Sequence, residues 1–206
     1  HQRVRRQRQM CIRDSFYILK RMIALIGLGN PGEKHSLNRH NIGFIVIDEI
    51  NDNNEIIKSE KKFNGDLTTF SIGRKKIVTF KSCDYMNECG GSIAKLINFY
   101  KLGLDSVYVF HDDLDISLGK VKIKNGGSPA GHNGLKSIDS CIGKNYNRVR
   151  VGIDHPGSRE LVNRHVLGNF KKKELEIVDQ LKISISSHLK LLISENKSQF
   201  LNNIKL

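Results

Sequence analysis

Short apolar runs alternate with stretches of helical periodicity along this chain of 206 residues. Apolar runs bounded by glycine or polar residues predict buried strands, and alternation of polar with apolar residues predicts strands with one exposed face. The predicted strands are 23–28, 66–72, 76–81, 107–110, 119–124 and 148–153. Apolar residues that recur at helical spacing predict helices that bury one face. The predicted helices are 42–50, 92–100, 135–142 and most of 173–206.

The order of these elements predicts the fold class. Strands that alternate with helices are typical of an α/β protein, so we expect one compact domain with a twisted, mixed, largely parallel sheet and helices on both faces. That domain is predicted to span residues 22–206 and to end in a helical tail. Residues 1–21 hold seven Arg or Lys and one Asp. This basic leader is interpreted as a disordered or non-native segment, with an organellar transit peptide as the alternative.

The composition indicates what kind of partner the protein binds and in which compartment it works. The formal net charge is +13 and the isoelectric point is near 9.7, which favours a polyanionic partner. No apolar run approaches the roughly 18 residues of a membrane span, so no membrane location is expected. Four cysteines occur without a C-x-x-C pair. That pattern is typical of a reducing compartment and predicts a cytoplasmic location.

The glycines of "GLGNPG" raise the question of a bound dinucleotide. Gly27, Gly29 and Gly32 spell G-x-G-x-x-G, but in that fingerprint the third glycine opens a helix and an acidic residue about 20 positions later ends a strand. Here a polar run, 33–41, follows Gly32, and Asp52 ends a predicted helix. The context therefore disfavours a nucleotide, although an NAD-dependent oxidoreductase stays a rival hypothesis.

Polar side chains follow three of the predicted strands at the point where each strand ends. Asn30, Asp112 and the pair 154–155 occupy these places, and open α/β sheets gather their sites at the carboxyl ends of strands. His40 lies in a polar segment before a predicted helix, and its unperturbed pKa of about 6.5 suits a general base. Such a base gains from a carboxylate that fixes its tautomer, for which Asp112 is the best placed candidate.

Several of these residue types also have a purely structural explanation. Asn30, Asn87 and Asn133 lie beside glycines or at element ends, where asparagine commonly forms turns and caps, although a carboxamide can equally hold a carbonyl group or a water. Basic side chains on two predicted strands form either a solvated face or a surface for a polyanion. They are Lys120, Lys122, Lys124, Arg148 and Arg150.

Two further hypotheses lack their full signatures. The loop 125–134 is rich in glycine but lacks the Gly-Lys-Ser/Thr ending of a P-loop, which leaves only a backbone nest for an anion open. A metal centre would have to combine histidines and aspartates that show no recognised ligand spacing. These are His111, Asp112, Asp113, His132 and His155. No metal and no organic cofactor are therefore expected.

Six stretches, in order along the chain, resemble one known family. They are "GLGNPG", "NRHNIGF", "YMNECGG", "FHDDLD", "KIKNGGSPAGHNGLKSI" and "RVRVGIDHPG". Each motif alone is modest, but the ordered set is similar to bacterial peptidyl-tRNA hydrolase from about Met22 to about Phe170. The resemblance implies a compact α/β domain that cleaves the ester between a peptide and the 3′ ribose of tRNA.

The resemblance also implies a role for each candidate residue. His40 is implied as the base that activates water, and Asp112 as the group that keeps His40 basic and oriented. Asn30 is implied to favour N-blocked peptidyl groups over free aminoacyl groups. Asn87 is implied to hold the peptide backbone or the attacking water, and Asn133 to contact the tRNA end or a water.

Contacts to the tRNA follow from the same resemblance. Tyr85 and Met86 occupy positions that wall the 3′ end in relatives. Lys124 and Arg150 match basic residues associated with the acceptor stem in relatives. Together with Lys122 and Arg148 of the same two predicted strands, they are the candidate contacts to the tRNA backbone. The implied partner is peptidyl-tRNA, bound through its acceptor stem and 3′ end, with no metal or cofactor and no obligate protein partner, so a monomer is expected.

Two departures from the family pattern concern affinity. His35, a predicted substrate contact, stands where many relatives have tyrosine, and Pro129 and Ala130 replace the more usual glycines or histidine of the loop. Neither departure touches the proposed base, its carboxylate or the three asparagines. The alternative function is a non-catalytic RNA-binding protein on the same fold.

Overall fold

Four parallel strands form the middle of a mixed sheet in the computed structural model, which describes residues 22–204. Within that range the strands are β1 (Met22–Gly27), β2 (Lys58–Lys61), β3 (Gly65–Ile72), β4 (Lys75–Ser82), β5 (Val107–Asp113), β6 (Val121–Asn125) and β7 (Asn147–Gly152). Their order is β2-β3-β4-β1-β5-β7-β6. The strands β4, β1, β5 and β7 run parallel, whereas β2, β3 and β6 add antiparallel edges.

Helices cover both faces of this sheet, as the sequence predicts. The α-helices among the described residues are α1 (Ile42–Asp52), α2 (Gly90–Tyr100), α3 (Asn133–Ile142), α4 (Val162–Val166), α5 (Lys172–Ser187), α6 (Leu189–Ile193) and α7 (Lys197–Asn203). None of them combines the length and apolar character that crossing a membrane requires.

Strand alternation divides the interior into two apolar clusters. Leu25 of β1 packs with residues of α1, α5, α6 and α7 on one face, whereas its neighbours Ala24 and Ile26 pack with α2 and α3 on the other. Successive side chains of a strand point to opposite faces. A parallel strand covered by helices on both sides is therefore apolar throughout, which is why β1 is buried along its whole length.

The predicted elements are confirmed with shifts of a few residues, and the additions have simple causes. Two short elements lack a periodic signal: β2 is polar and mostly exposed, and α4 has only five residues. The strand β5 runs beyond its apolar part through Asp113, so Asp112 lies within the strand. The predicted leader 1–21 lies outside the described residues.

Glycine allows α1 to approach the carboxyl ends of β1 and β5. A Cβ atom on Gly43 would lie 2.3 Å from the carbonyl oxygen of Phe110 and 2.5 Å from the amide nitrogen of Leu28. Gly32, with φ of 100°, leads into a single 3₁₀ turn at Glu33–His35. A dinucleotide fingerprint would open an α-helix at this point. The close approach of α1 instead carries His40, which lies in the turn just before the helix, towards β5.

Candidate active site

His40 and Asp112 meet at the carboxyl edge of the sheet. His40 belongs to the 3₁₀ turn Arg39–Asn41 that leads into α1, and Asp112 extends from the face of β5 that α1 covers. The imidazole Nδ1 of His40 lies 2.8 Å from Oδ1 of Asp112, and both residues are buried. Because a carboxylate only accepts, the network assigns the proton to Nδ1. The neutral ring of His40 therefore keeps its lone pair on Nε2.

Opposing effects act on the pKa of His40. Burial lowers the pKa, but the charge of Asp112 and its hydrogen bond outweigh burial, so the pKa lies above the ordinary value of 6.5. An imidazole with a raised pKa is a stronger base. No hydrogen bond among residues 22–204 involves Nε2 of His40, and this residue lines a cavity of about 660 Å³. The free lone pair is thus available to a bound water or substrate.

His132, which sequence reasoning considered only as a metal ligand, is the third member of this cluster. It caps α3, since its Nδ1 accepts hydrogen bonds from the amides of Gly134 at 3.1 Å and Leu135 at 3.3 Å. An accepting Nδ1 leaves the proton of a neutral ring on Nε2. That N–H donates to Oδ1 of Asp112 at 3.0 Å. A histidine at a predicted helix start in a glycine loop was the available signal.

Asp112 is therefore held as a carboxylate by two imidazoles. Burial alone would raise its pKa, but His40 and His132, through charge and hydrogen bonds, bring the pKa well below the ordinary carboxyl range. The two rings that donate to Asp112 differ in whether their second nitrogen is occupied. The helix-cap hydrogen bonds occupy Nδ1 of His132 and fix its tautomer, whereas Nε2 of His40 makes no hydrogen bond among the described residues. Of the two rings that donate to Asp112, only His40 can accept a proton without losing a hydrogen bond to a backbone amide.

His111 adds a neutral imidazole behind the carboxylate. Its Nδ1 donates to the carbonyl oxygen of Asp112 at 2.7 Å. Burial, followed by the proximity of His132, lowers the pKa of His111 to about 3. Its buried Nε2 has no hydrogen-bond partner among the described residues. The ring therefore stays uncharged and adds no positive charge beside the pair.

The cluster fits a metal ion poorly. Possible ligand atoms of His40, Asp112 and His132 lie within 4.8 Å of one another. However, binding a metal through Nε2 of His132 would require that atom to lose its proton. A neutral ring would then carry the proton on Nδ1, which would break both helix-cap hydrogen bonds. We do not assign a metal to this cluster.

Asn30 is held by Asn41, the residue after His40, and does not itself line the cavity. The Asn41 side chain accepts from the amide of Asn30 and donates to its carbonyl, both at 2.9 Å. The side-chain oxygen of Asn30 accepts from the amide of Met86 at 2.9 Å. Its Nδ2 group has no hydrogen bond among the described residues, so Asn30 offers only donors to a ligand.

The other predicted substrate contacts differ in exposure. Tyr85 is 55% exposed and Asn87 is also exposed, whereas Met86 is buried in the core. Asn133 is exposed and lines the cavity. His35 is half-buried, and its Nδ1 donates to the side chain of Asn38 at 2.6 Å. Of these five contacts only Asn133 lines the cavity.

Cations surround the cavity beside His40. Lys124 of β6 and Arg150 of β7 line it, and Lys122, opposite Arg150 in the antiparallel pairing, is exposed. Sequence reasoning missed two further cations of this lining, Lys136 and Arg159. Both lie in segments without strand alternation, so no pattern connected them to the site.

Arg148 is more deeply buried than Arg150, which is also ion-paired, to Asp113 at 2.6 Å, but is 26% exposed. The side chain of Arg148 is 3% exposed, with Nη2 paired to both carboxylate oxygens of Asp139 at 2.8 and 3.1 Å. Its Nη1 donates to the carbonyl of Ser128 at 2.9 Å. The guanidinium thus anchors the glycine loop to α3. We reassign Arg148 from the predicted tRNA contacts to this anchoring role, because its charge is already paired and buried.

The fold and the site together define a class. The chain is an α/β protein with a carboxylate-oriented histidine at the carboxyl edge of its sheet, open to a cavity lined by cations. A family model described as Peptidyl-tRNA hydrolase matches residues 24–205. The chain belongs to the peptidyl-tRNA hydrolase family.

Individual relatives agree with this membership. The chain is 45% identical over 181 residues to the peptidyl-tRNA hydrolase of Novosphingobium aromaticivorans, covering 88% of this chain and 95% of the relative. It is 42% identical over 184 residues to that of Rickettsia canadensis, covering 89% and 100%. A crystal structure of peptidyl-tRNA hydrolase from Acinetobacter baumannii superposes with a TM-score of 0.83 at 35% identity, covering 90% of this chain and 95% of that one.

Proposed function

We propose that this chain hydrolyses the ester between a peptide and the 3′ ribose of tRNA, with His40 as the general base. The observation that carries the proposal is the buried His40–Asp112 hydrogen bond, which leaves a basic Nε2 facing a cavity lined by cations. An ester needs a positioned water and a base, but neither a metal nor a covalent nucleophile. A cationic cavity suits the phosphates of tRNA.

The proposed reaction moves one proton in each direction. As the oxygen of water attacks the ester carbonyl carbon, Nε2 of His40 takes a proton from that water. The negative charge of Asp112 stabilises the imidazolium that forms. Collapse of the tetrahedral intermediate breaks the bond to the ribose oxygen, and His40 returns the proton to that oxygen. The products are the peptide acid and tRNA with a free 3′ hydroxyl.

The orientation of Asn30 supports selection for blocked amino groups. Since Met86 occupies its side-chain oxygen, Asn30 presents N–H donors only. A peptidyl group offers a carbonyl oxygen next to the residue esterified to tRNA, and that oxygen accepts. A free aminoacyl group offers an ammonium, which only donates. The proposed contacts to the rest of the peptide and the 3′ end are His35, Tyr85, Met86, Asn87 and Asn133.

The wild-type protein tests this proposal directly. We expect it to release tRNA from N-acetylaminoacyl-tRNA and to act on the unblocked aminoacyl-tRNA at least about tenfold more slowly, because one good hydrogen bond to a buried group is worth about 1.4 kcal/mol or more. Release is measured as loss of the acid-precipitable amino acid from tRNA. Tight RNA binding without release would favour the non-catalytic RNA-binding alternative.

Lys124 is proposed to bind the tRNA backbone, together with Lys122 and Arg150. Lys124→Ala is expected to weaken tRNA binding several-fold and to reduce the slope of log affinity against log salt by about one, because one phosphate contact is lost. Turnover at saturating substrate should be unchanged. Lys58→Ala, on the opposite edge strand β2, is the matched control and should leave the salt slope at its wild-type value. An unchanged slope for Lys124→Ala would remove Lys124 from the interface.

We further propose a monomer that acts in the cytoplasm on peptidyl-tRNA. Every side chain of the proposed site comes from this one chain. The cysteine pattern also suits a reducing compartment.

A further inference from the structure

The segment before His40 is docked on the connection between α4 and α5. The amide of Arg39 donates to the carbonyl of Gly168 at 3.0 Å. The side chain of Asn38 donates to the carbonyl of Leu167 at 2.7 Å and to the side chain of Asn169 at 2.8 Å. The turn that carries His40 is thus attached to residues more than a hundred positions away in the chain.

The side chain of Arg39 reinforces this attachment from inside the protein. It is 7% exposed, and its Nη2 lies 2.6 Å from Oε2 of Glu174 at the start of α5. Its Nη1 is placed 3.3 Å from the carbonyls of His165 and Gly168. The guanidinium carbon lies 5.4 Å from the centre of the Phe170 ring. A planar guanidinium can serve several acceptors and an aromatic face together, which an ammonium cannot.

The docking of α5 itself does not depend on Arg39. Apolar residues of α5, among them Val178, Leu181 and Ile185, pack in the same core cluster as α1. Lys182 adds an ion pair to Glu49 of α1 at 3.3 Å. The guanidinium is therefore not needed to hold the helix. Its contacts instead fix the position of the neighbouring turn.

The helix that precedes this connection, α4, forms a wall of the cavity. Val162, Asn163 and Val166 of α4 line the cavity beside His40. His165, whose carbonyl accepts from Arg39, donates through Nε2 to the carbonyl of Ile153 at 2.9 Å after β7. Arg39 therefore links the turn that carries the base to the wall that the substrate would face.

We infer that Arg39 is a positioning residue, which holds the His40 turn in register with Asp112 on β5 and with the α4 wall of the cavity. The inference rests on the proposed function of His40 as a base. Misplacement of a catalytic group by about 1 Å can cost about a hundredfold in rate. Loss of the guanidinium should therefore reduce turnover much more than it reduces substrate binding.

The test compares Arg39→Ala, Arg39→Lys and the control Lys182→Ala in hydrolysis of N-acetylaminoacyl-tRNA. We expect kcat of Arg39→Ala to fall about tenfold to a hundredfold with KM within about threefold of wild type. Added guanidinium, below denaturing concentration, should restore part of that kcat by entering the vacated site. Lys182→Ala also loses an ion pair of α5, and it should keep its wild-type kcat and show no response to guanidinium.

Several results would overturn the inference. These are a wild-type kcat for Arg39→Ala, an equal loss of kcat in Lys182→Ala, or no recovery with guanidinium. If Arg39→Ala does not fold, kcat of Arg39→Lys provides the test. The lysine keeps the positive charge, but its ammonium cannot contact all the oxygen atoms to which the guanidinium of Arg39 donates. A wild-type kcat for Arg39→Lys would then contradict the positioning role.

A readout independent of activity separates this inference from the proposed function. Titration of the His40 ring by NMR should show a lower pKa in Arg39→Lys than in wild type, because displacement from Asp112 removes the effect that raises it. If wild type does not hydrolyse the ester but this shift is present, the proposed function fails and the positioning role stands. An unchanged His40 titration would refute the positioning role.

Discussion

His40→Ala is expected to lower kcat for N-acetylaminoacyl-tRNA about a thousandfold while leaving tRNA affinity within a few-fold of wild type. General base catalysis contributes roughly a hundredfold to ten-thousandfold, and His40 is the histidine of the cluster whose Nε2 is open to the cavity. The basic side chains proposed to bind phosphates lie on β6 and β7, so binding should survive. Single-turnover hydrolysis and equilibrium tRNA binding measure the two quantities separately.

His188→Ala is the matched control for this variant. His188 is half-buried and hydrogen-bonded through Nδ1 to the carbonyl of Ser184 at 2.9 Å, between α5 and α6. Its removal costs one part-buried hydrogen bond of an imidazole without touching the site, so kcat should stay at the wild-type level. If His40→Ala retained turnover within about tenfold of wild type, another group would have to activate the water.

Asp112→Asn is the second large effect, because it removes the charge but keeps the shape of the side chain. We expect kcat to fall about a hundredfold, since the imidazolium formed during the reaction loses its counter-charge. The amide can also donate to Nδ1 of His40, which would favour the tautomer with Nε2 protonated and inactive as a base. Substrate binding should change little.

The pH dependence of kcat in Asp112→Asn shows whether Asp112 raises or lowers the pKa of His40. In wild type, burial lowers the pKa of His40, but Asp112 raises it above 6.5, and kcat should increase with pH as His40 loses its proton. In Asp112→Asn only burial still acts on the pKa of His40, and burial lowers it. The rise of kcat with pH should therefore occur at lower pH, and the maximal kcat should be smaller. Asp66→Asn, which loses an exposed pair with Lys61, should keep the wild-type pH dependence. A rise of kcat that moves to higher pH would contradict the assignment.

Much of the architecture could be predicted because local patterns reflect burial. Residues 107–110 are buried on both faces of the sheet, so their continuous apolar run predicts a strand even when the neighbouring strands are unknown. The exposed, polar strand β2 carries no such pattern, since its place at the sheet edge depends on pairing with β3. The turn 39–41 was likewise invisible, because contacts with residues 165–174 hold it in place.

The sequence by itself determined most of the elements, the α/β class, the ordered motifs of the family and the chemical types available at the strand ends. Local periodicity and residue chemistry are sufficient for these. Only the tertiary structure decided that Nδ1 of His40 reaches Asp112, that His132 donates to the same carboxylate, and that Arg148 is buried against Asp139. Such contacts join residues distant in sequence, and whether a charge is free or paired depends on distances that no local pattern contains.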